Sequence, residues 1–171
     1  ASSMDVLSPE ARRSGSVNTI EVLPDGRLKG HDTDGAGFLQ SLRDDGQWSH
    51  SGDGLWLYGA GGAACAVAQT LQDATNLAPH FMVRRPDPVR RLLSKQFEKL
   101  QVSSLGAHEK TAPGLHIHCT PIGLGATQGT SAWIEATRTI ADWLPADMGS
   151  CVAVDLIYTP EETPFMELAR Q

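Results

Sequence analysis

Gly59, Gly61 and Ala64 stand at the spacing G-x-G-x-x-A, directly after the apolar run Leu55-Trp56-Leu57-Tyr58 and at the head of an alanine-rich stretch through Val67 and Leu71. A strand, a tight turn and a helix start in that order suit a dinucleotide-binding βαβ unit. Gly59 permits the turn, and Gly61 carries no side chain to hold the backbone away from a pyrophosphate. Ala64, where a third glycine often lies, is small enough for close helix–strand packing. The free N–H groups and positive dipole end of the helix would hold phosphate charge. A purely structural turn has the same short pattern; the legible strand before it and helix after it favour the cofactor.

His80-Phe81-Met82-Val83 reads as the next strand, and Arg84-Arg85-Pro86 follows at its end. An NAD-selective site would place Asp or Glu there, about twenty residues past the glycines, to bond the ribose 2′-hydroxyl. Two arginines stand there instead. Guanidinium is permanently charged and grips phosphate through paired hydrogen bonds, which favours NADP(H). The alternative is that Arg84, Arg85, Arg90 and Arg91 form a solvated basic rim. His116 and His118, two apart on an expected strand, share a face, with His118 placed to line the cofactor crevice. His108 and Glu109 do not complete a metal-like spacing with them, and no metal site is expected.

These residues need elements to position them. Val17–Leu23, Pro24-Asp25-Gly26 and Arg27–Lys29 predict a hairpin with Asp-Gly in its turn, and Asp34–Leu42 a helix. Strand Leu55–Tyr58, helix Gly62–Leu71 and strand Phe81–Val83 follow. A helix capped by Asp87 with Pro88 first would bury Val89, Leu92, Leu93 and Phe97. A weak strand at Gln101–Ser104 precedes a stronger one at Leu115–Cys119. Trp133, Ala136, Ile140 and Trp143 recur at helical spacing; a strand Cys151–Tyr158 and a helix begun by Thr163-Pro164 end the chain. The alternation predicts an α/β fold, a Rossmann-like doubly wound parallel sheet preceded by a short N-terminal hairpin-plus-helix piece. The polar stretch Asp44–Gly54 marks the boundary, dividing 1–46 from 47–171.

Composition narrows the class. The 171 residues are 40% hydrophobic and 20% charged, with net charge −6, which argues against a nucleic-acid binder. No apolar run is long enough to span a membrane, and no signal peptide is legible. Cys65, Cys119 and Cys151 lie near expected core elements, which suits reduced thiols in a cytoplasmic protein.

Four further segments resemble the shikimate dehydrogenase family. Gly15-Ser16-Val17-Asn18-Thr19-Ile20 is similar to its G-A-V-N-T-[IVL], and Gly30-His31-Asp32-Thr33-Asp34-Gly35-Ala36-Gly37-Phe38 to its G-x-N-T-D-G-x-G-F. Ile117-His118-Cys119-Thr120-Pro121-Ile122-Gly123-Leu124 resembles I-N-A-T-[PS]-x-G-M, and Asp155–Pro164 resembles D-x-x-Y-x-P-x-x-T-P. The resemblance implies reversible, NADP-dependent reduction of 3-dehydroshikimate to shikimate, or of a quinate-type relative. It implies Asp34 as the catalytic carboxylate. Asn18, Thr33, Asp34 and Tyr158 would touch the cyclic hydroxy acid. Gly59, Ala60, Gly61, Gly62, Ala63, Arg84, Arg85, Thr120 and Tyr158 would hold the cofactor.

Asp34 and Asn18 also have plain readings, a helix N-cap and a side chain bonded within its own hairpin. Departures from the family pattern fall at Asp32, His118, Arg84 and Leu124. The family's serine pair and lysine would precede Ala1 and its glutamine would follow Gln171, so the chain is expected to be a fragment or a shortened relative, with 1–46 the remnant of a second domain. The missing domain is then expected on the same chain or a partner, with a homo-oligomer or a non-catalytic NADP(H)-binding module as alternatives.

Overall fold

A computed structural model of the chain describes residues 3–45, 54–107, 114–148 and 151–171. The first segment forms β1 (Val6–Leu7), α1 (Pro9–Ser14), β2 (Thr19–Val22), β3 (Leu28–His31) and α2 (Asp34–Asp45). Then come β4 (Gly54–Tyr58), α3 (Gly62–Thr75), β5 (Pro79–Val83), α4 (Pro86–Leu93) and β6 (Gln101–Ser104). β7 (Gly114–His118), α5 (Ser131–Ala141), β8 (Val152–Asp155) and α6 (Pro164–Ala169) complete the chain.

Five parallel strands lie in the order β6-β5-β4-β7-β8, so the winding reverses between β4 and β7. That reversal opens a crevice at the carboxyl ends of the strands, where ligands of open α/β sheets bind. Strand alternation divides the core. Leu55 and Leu57 of β4 join Val67 and Leu71 of α3, Phe38 and Leu42 of α2, and Leu93 on one face. Tyr58 joins Met82, Ile140, Trp143 and Phe165 under α5 and α6 on the other. Leu57, Leu71 and Ile140 have no exposed surface, each worth roughly 1.5–3 kcal/mol of burial.

A second, three-stranded sheet, β1-β3-β2, carries the hairpin. Gly26, at φ 84°, turns it, and Leu23 and Arg27 bond across the turn. β1 and α1 have no counterpart in the expectations. Ser8 and Pro9 carry the signal: the Ser8 hydroxyl caps Ala11 N–H and Pro9 sits in the first turn.

Several element boundaries differ from expectation, those of α4 and β8 with consequences for the residues at their ends. α4 starts at Pro86, so Asp87 and Pro88 lie inside its first turn, and its N-cap is Arg85. Proline with its fixed φ is as well suited to the first position at 86 as at 88. Its face turns so that Leu93 is buried while Leu92 is 62% exposed, and Phe97 packs from beyond the helix end. β8 stops at Asp155, whose side chain takes the N–H of Ile157 and ends the ladder. Most of the expected boundary, 46–53, lies outside the described residues, as do His108 and Glu109; α2 runs through Asp44. Among the described residues no helix is long and apolar enough to cross a membrane.

Candidate functional site

β4 delivers Gly59 at φ 111°, a conformation that other residues adopt only with strain. Gly59 N–H donates to Met82 O at 2.9 Å, and Cys119 N–H donates to Tyr58 O at 2.9 Å, so the loop starts clamped between β5 and β7. A Cβ on Gly59 would stand 3.1 Å from Cys119 O and 3.1 Å from Thr120 Cγ2.

Gly61 is the N-cap of α3, with φ −79° and ψ −176° and no side-chain cap. That backbone suits any residue, and a Cβ there would meet nothing within 4 Å. Neither conformation nor packing against the described residues requires glycine at 61. With no acid in the first turn of α3, the leading N–H groups and the positive dipole end face the open space at Gly61. Gly62 differs, since its Cβ would lie 2.7 Å from Ser16 Oγ. Ala60 and Ala63 are half-buried and Ala64 is fully buried, the close helix–strand contact expected at the third position.

Arg84 and Arg85 follow β5 and are exposed, and neither side chain bonds or pairs with any described residue. Arg90 is otherwise engaged: it pairs with Asp87 at 3.0 Å and donates to Val102 O at 2.7 Å. The basic run is therefore divided, with structural work at Arg90 and free charge at the strand end.

Asn18, Thr33 and Asp34 come together. Asn18 Nδ2 donates to Asp34 Oδ1. Asn18 Oδ1 accepts from Thr33 N–H at 3.2 Å and from the Thr33 hydroxyl at 3.2 Å. Asp34 is not the cap of α2. Thr33 O accepts the first helical bond, from Gly37, and the buried Asp32 carboxylate takes Asp34 N–H at 3.2 Å while accepting from Ser14 Oγ at 2.6 Å. The Asp34 side chain is left to face Asn18. Ser16 is the link that sequence reading missed: its N–H donates to Ser14 Oγ at 3.2 Å, beside Asp32, and its side chain packs closely on Gly62, a tertiary contact with no local signal.

His116 and His118 do share a face, but neither lines a crevice, for both are fully buried. His116 Nδ1 lies 2.8 Å from the Tyr58 hydroxyl, whose ionisation burial pushes far up. His118 sits between Thr120 and Asp155. Tyr158 lies three residues past the end of β8 and is 89% exposed, well out from the strand end where it was expected. Its loop is tied to the turn after β7 by Gly125 N–H donating to Thr159 O at 3.1 Å. Cys65, Cys119 and Cys151 form no disulfide. Burial pushes the Cys65 thiol up to about 11 and that of Cys119 higher.

No family model matches the chain. The shikimate dehydrogenase (NADP(+)) of Streptococcus thermophilus is 34% identical over 179 residues, covering 98% of this chain and 58% of the relative. The crystal structure of shikimate 5-dehydrogenase from Thermus thermophilus in complex with NADP(H) and shikimate aligns with TM-score 0.71 and 31% identity, over 98% of this chain and 57% of that one. A shikimate dehydrogenase in complex with NADP+ aligns with TM-score 0.76 and 26% identity, over 98% of this chain and 56% of that one. The chain thus spans little more than half the length of the relatives it matches.

Proposed function

The chain belongs to the shikimate dehydrogenase family, and on that footing we propose that it is the NADP-binding part of an oxidoreductase that reduces 3-dehydroshikimate, or a quinate-type cyclic hydroxy-ketone, to its hydroxy acid. The observation that carries this reading is the open space at Gly61 before an uncapped α3. Gly59 to Ala63 would cradle the pyrophosphate with backbone N–H groups. Arg84 and Arg85, free at the end of β5, would take the 2′-phosphate, and Thr120 would wall the crevice opposite Gly59. Tyr158 would lie over the open face of the site.

NADPH supplies the hydride when bound. The chain's own work is to orient substrate and to manage the hydroxyl proton. Asn18 and Thr33 would position the ring hydroxyls, and Asp34, held by Asn18, would hold the proton-exchanging group. The division at 46/47 is proposed as the border of the NADP-binding domain. The remaining part of the family's length, on this polypeptide or a partner, would cover β2, where Ile20 and Val22 are 54% and 70% exposed. A cytoplasmic location is part of this reading, since thiols held reduced at Cys65 and Cys119 suit a reducing compartment.

Calorimetry with NADPH and NADH tests the reading. NADPH is expected to bind more tightly, and Arg85→Asp to lose on the order of 1.5–3 kcal/mol of NADPH binding, the scale of one charge-assisted contact. Equal affinities of the parent for both cofactors would reject the arginine assignment.

A further inference from the structure

The carboxyl ends of β7 and β8 are joined by a buried polar chain that the proposed function leaves unused. His118 Nδ1 bonds Asp155 Oδ1 at 3.0 Å, and His118 Nε2 bonds Thr120 Oγ1 at 2.6 Å. A carboxylate only accepts, so Nδ1 carries a proton, and in the neutral ring Nε2 accepts from the Thr120 hydroxyl. Thr120 Oγ1 also accepts from Ile122 N–H at 3.3 Å. On the other side, Asp155 Oδ2 accepts from the Thr163 hydroxyl at 2.7 Å, and Thr163 Oγ1 caps α6 by accepting from Met166 N–H at 3.2 Å. The His118 ring stacks on Phe165, centroids 5.1 Å and planes 15° apart.

The side chains of His118 and Asp155 are 0% and 3% exposed, so their bond is made away from water, and losing the ring leaves Asp155 Oδ1 with the Ile157 N–H as its remaining partner. The exposed end of this chain is Thr120. Its methyl is one of the two groups, with the Cys119 carbonyl oxygen, that a Cβ on Gly59 would meet at 3.1 Å. The side-chain part of the wall facing Gly59 at the winding reversal is thus the residue that His118 grips, beside the Cys119 backbone.

We propose that His118 is a positioning residue for the dinucleotide: without touching it, His118 holds Thr120 and the turn after β7 at the separation from Gly59 that the cofactor requires. This rests on the dinucleotide reading of the glycine loop. It assigns a task to the histidine that stands where the family pattern has asparagine.

NADPH titration of the parent chain, H118F, T120V and the double variant tests it, with hydrogen exchange at Ile122 followed before any dinucleotide is added. Phenylalanine preserves the stack on Phe165 and removes both bonds. H118F is expected to raise the NADPH Kd roughly three- to tenfold, the scale of one net hydrogen bond, and to speed exchange at Ile122. Because His118 acts through Thr120, the penalties should not add, and the double variant should bind no worse than the weaker single. An unchanged Kd and exchange rate in folded H118F, or fully additive penalties, overturns the proposal. If H118F fails to fold, H118Q carries the test: intermediate values support the proposal and parent-like values in both readouts overturn it. If the parent binds no dinucleotide, the glycine-loop reading fails, while exchange at Ile122 still decides whether His118 holds the turn.

Discussion

Asn18 and Asp34, sixteen residues apart, are joined side chain to side chain, the amide donating to the carboxylate. Asp32, not Asp34, serves the helix N–H. The capping duty and the outward-facing charge are thus divided between two acids of one turn, and Asp34 is free of the bland role that its place at a helix start suggests.

Asp34→Asn tests that freedom. An asparagine can still accept from Asn18, so the geometry survives while the charge is lost. With this chain grafted in place of the matching stretch of the Streptococcus thermophilus relative, the variant is expected to lower kcat by roughly 10²–10⁴-fold, with a smaller effect on KM. Steady-state assays of 3-dehydroshikimate reduction measure it. An unchanged kcat would remove Asp34 from the proton-handling role.

Gly61 and Gly62 are neighbours with opposite expectations. Gly61→Val fills only open space, so the chain should keep its melting temperature and lose NADPH binding. Gly62→Val drives its side chain into Ser16 and should destabilise the fold as well. Thermal melts paired with NADPH titration separate the two; tight binding by Gly61→Val would reduce the loop to a structural turn.

How much of this was legible differs residue by residue. The strand–glycine–helix passage at 55–71 could be read because apolar run, turn residue and helix former are contiguous. The contrast between Gly61 and Gly62 could not, since it depends on Ser16, far off in sequence. His118 looked like a crevice residue because strand-end polar groups usually meet solvent. Its burial is made tolerable by Asp155, 37 residues on, and no local pattern announces that pairing. Tyr158 was placed on β8 by its apolar neighbours. Asp155 ends the strand first, by bonding Ile157 N–H with its own side chain.

Gly35→Ala should be costly for a reason unrelated to glycine's flexibility. Its Cβ would stand 2.2 Å from Thr70 Oγ1 and 2.5 Å from the Ala66 carbonyl oxygen. Backbone cannot step aside as a side-chain tip can, and a loss of about 1–3 kcal/mol or more is expected in chemical denaturation. An unaltered midpoint would mean that α2 is not seated on α3 as described.

Alkaline pH supplies another check. Burial raises the Cys65 thiol from its ordinary 9.0 to about 11, so the fold prefers the protonated form. A raised folded-state value stabilises fully below pH 9, and that contribution is lost as pH climbs through about 11. Melting temperature should therefore fall across this window, less steeply in Cys65→Ala. Cys119, raised in the same direction, keeps part of the slope. Identical slopes in parent and variant would show that Cys65 ionises as freely folded as unfolded.

The contact at Gly35 also has a mechanical consequence. Where a helix is pressed to within a methyl group of its neighbour's backbone, the pair cannot slide or rock without unpacking. Asp34, one residue away, is thereby bolted to α3, the helix whose amino end begins at Gly61. If an enzyme built on this chain closes as proposed, the pivot cannot lie between Asp34 and the amino end of α3. Those two travel as one body, and what varies is the approach of whatever swings in from the far side.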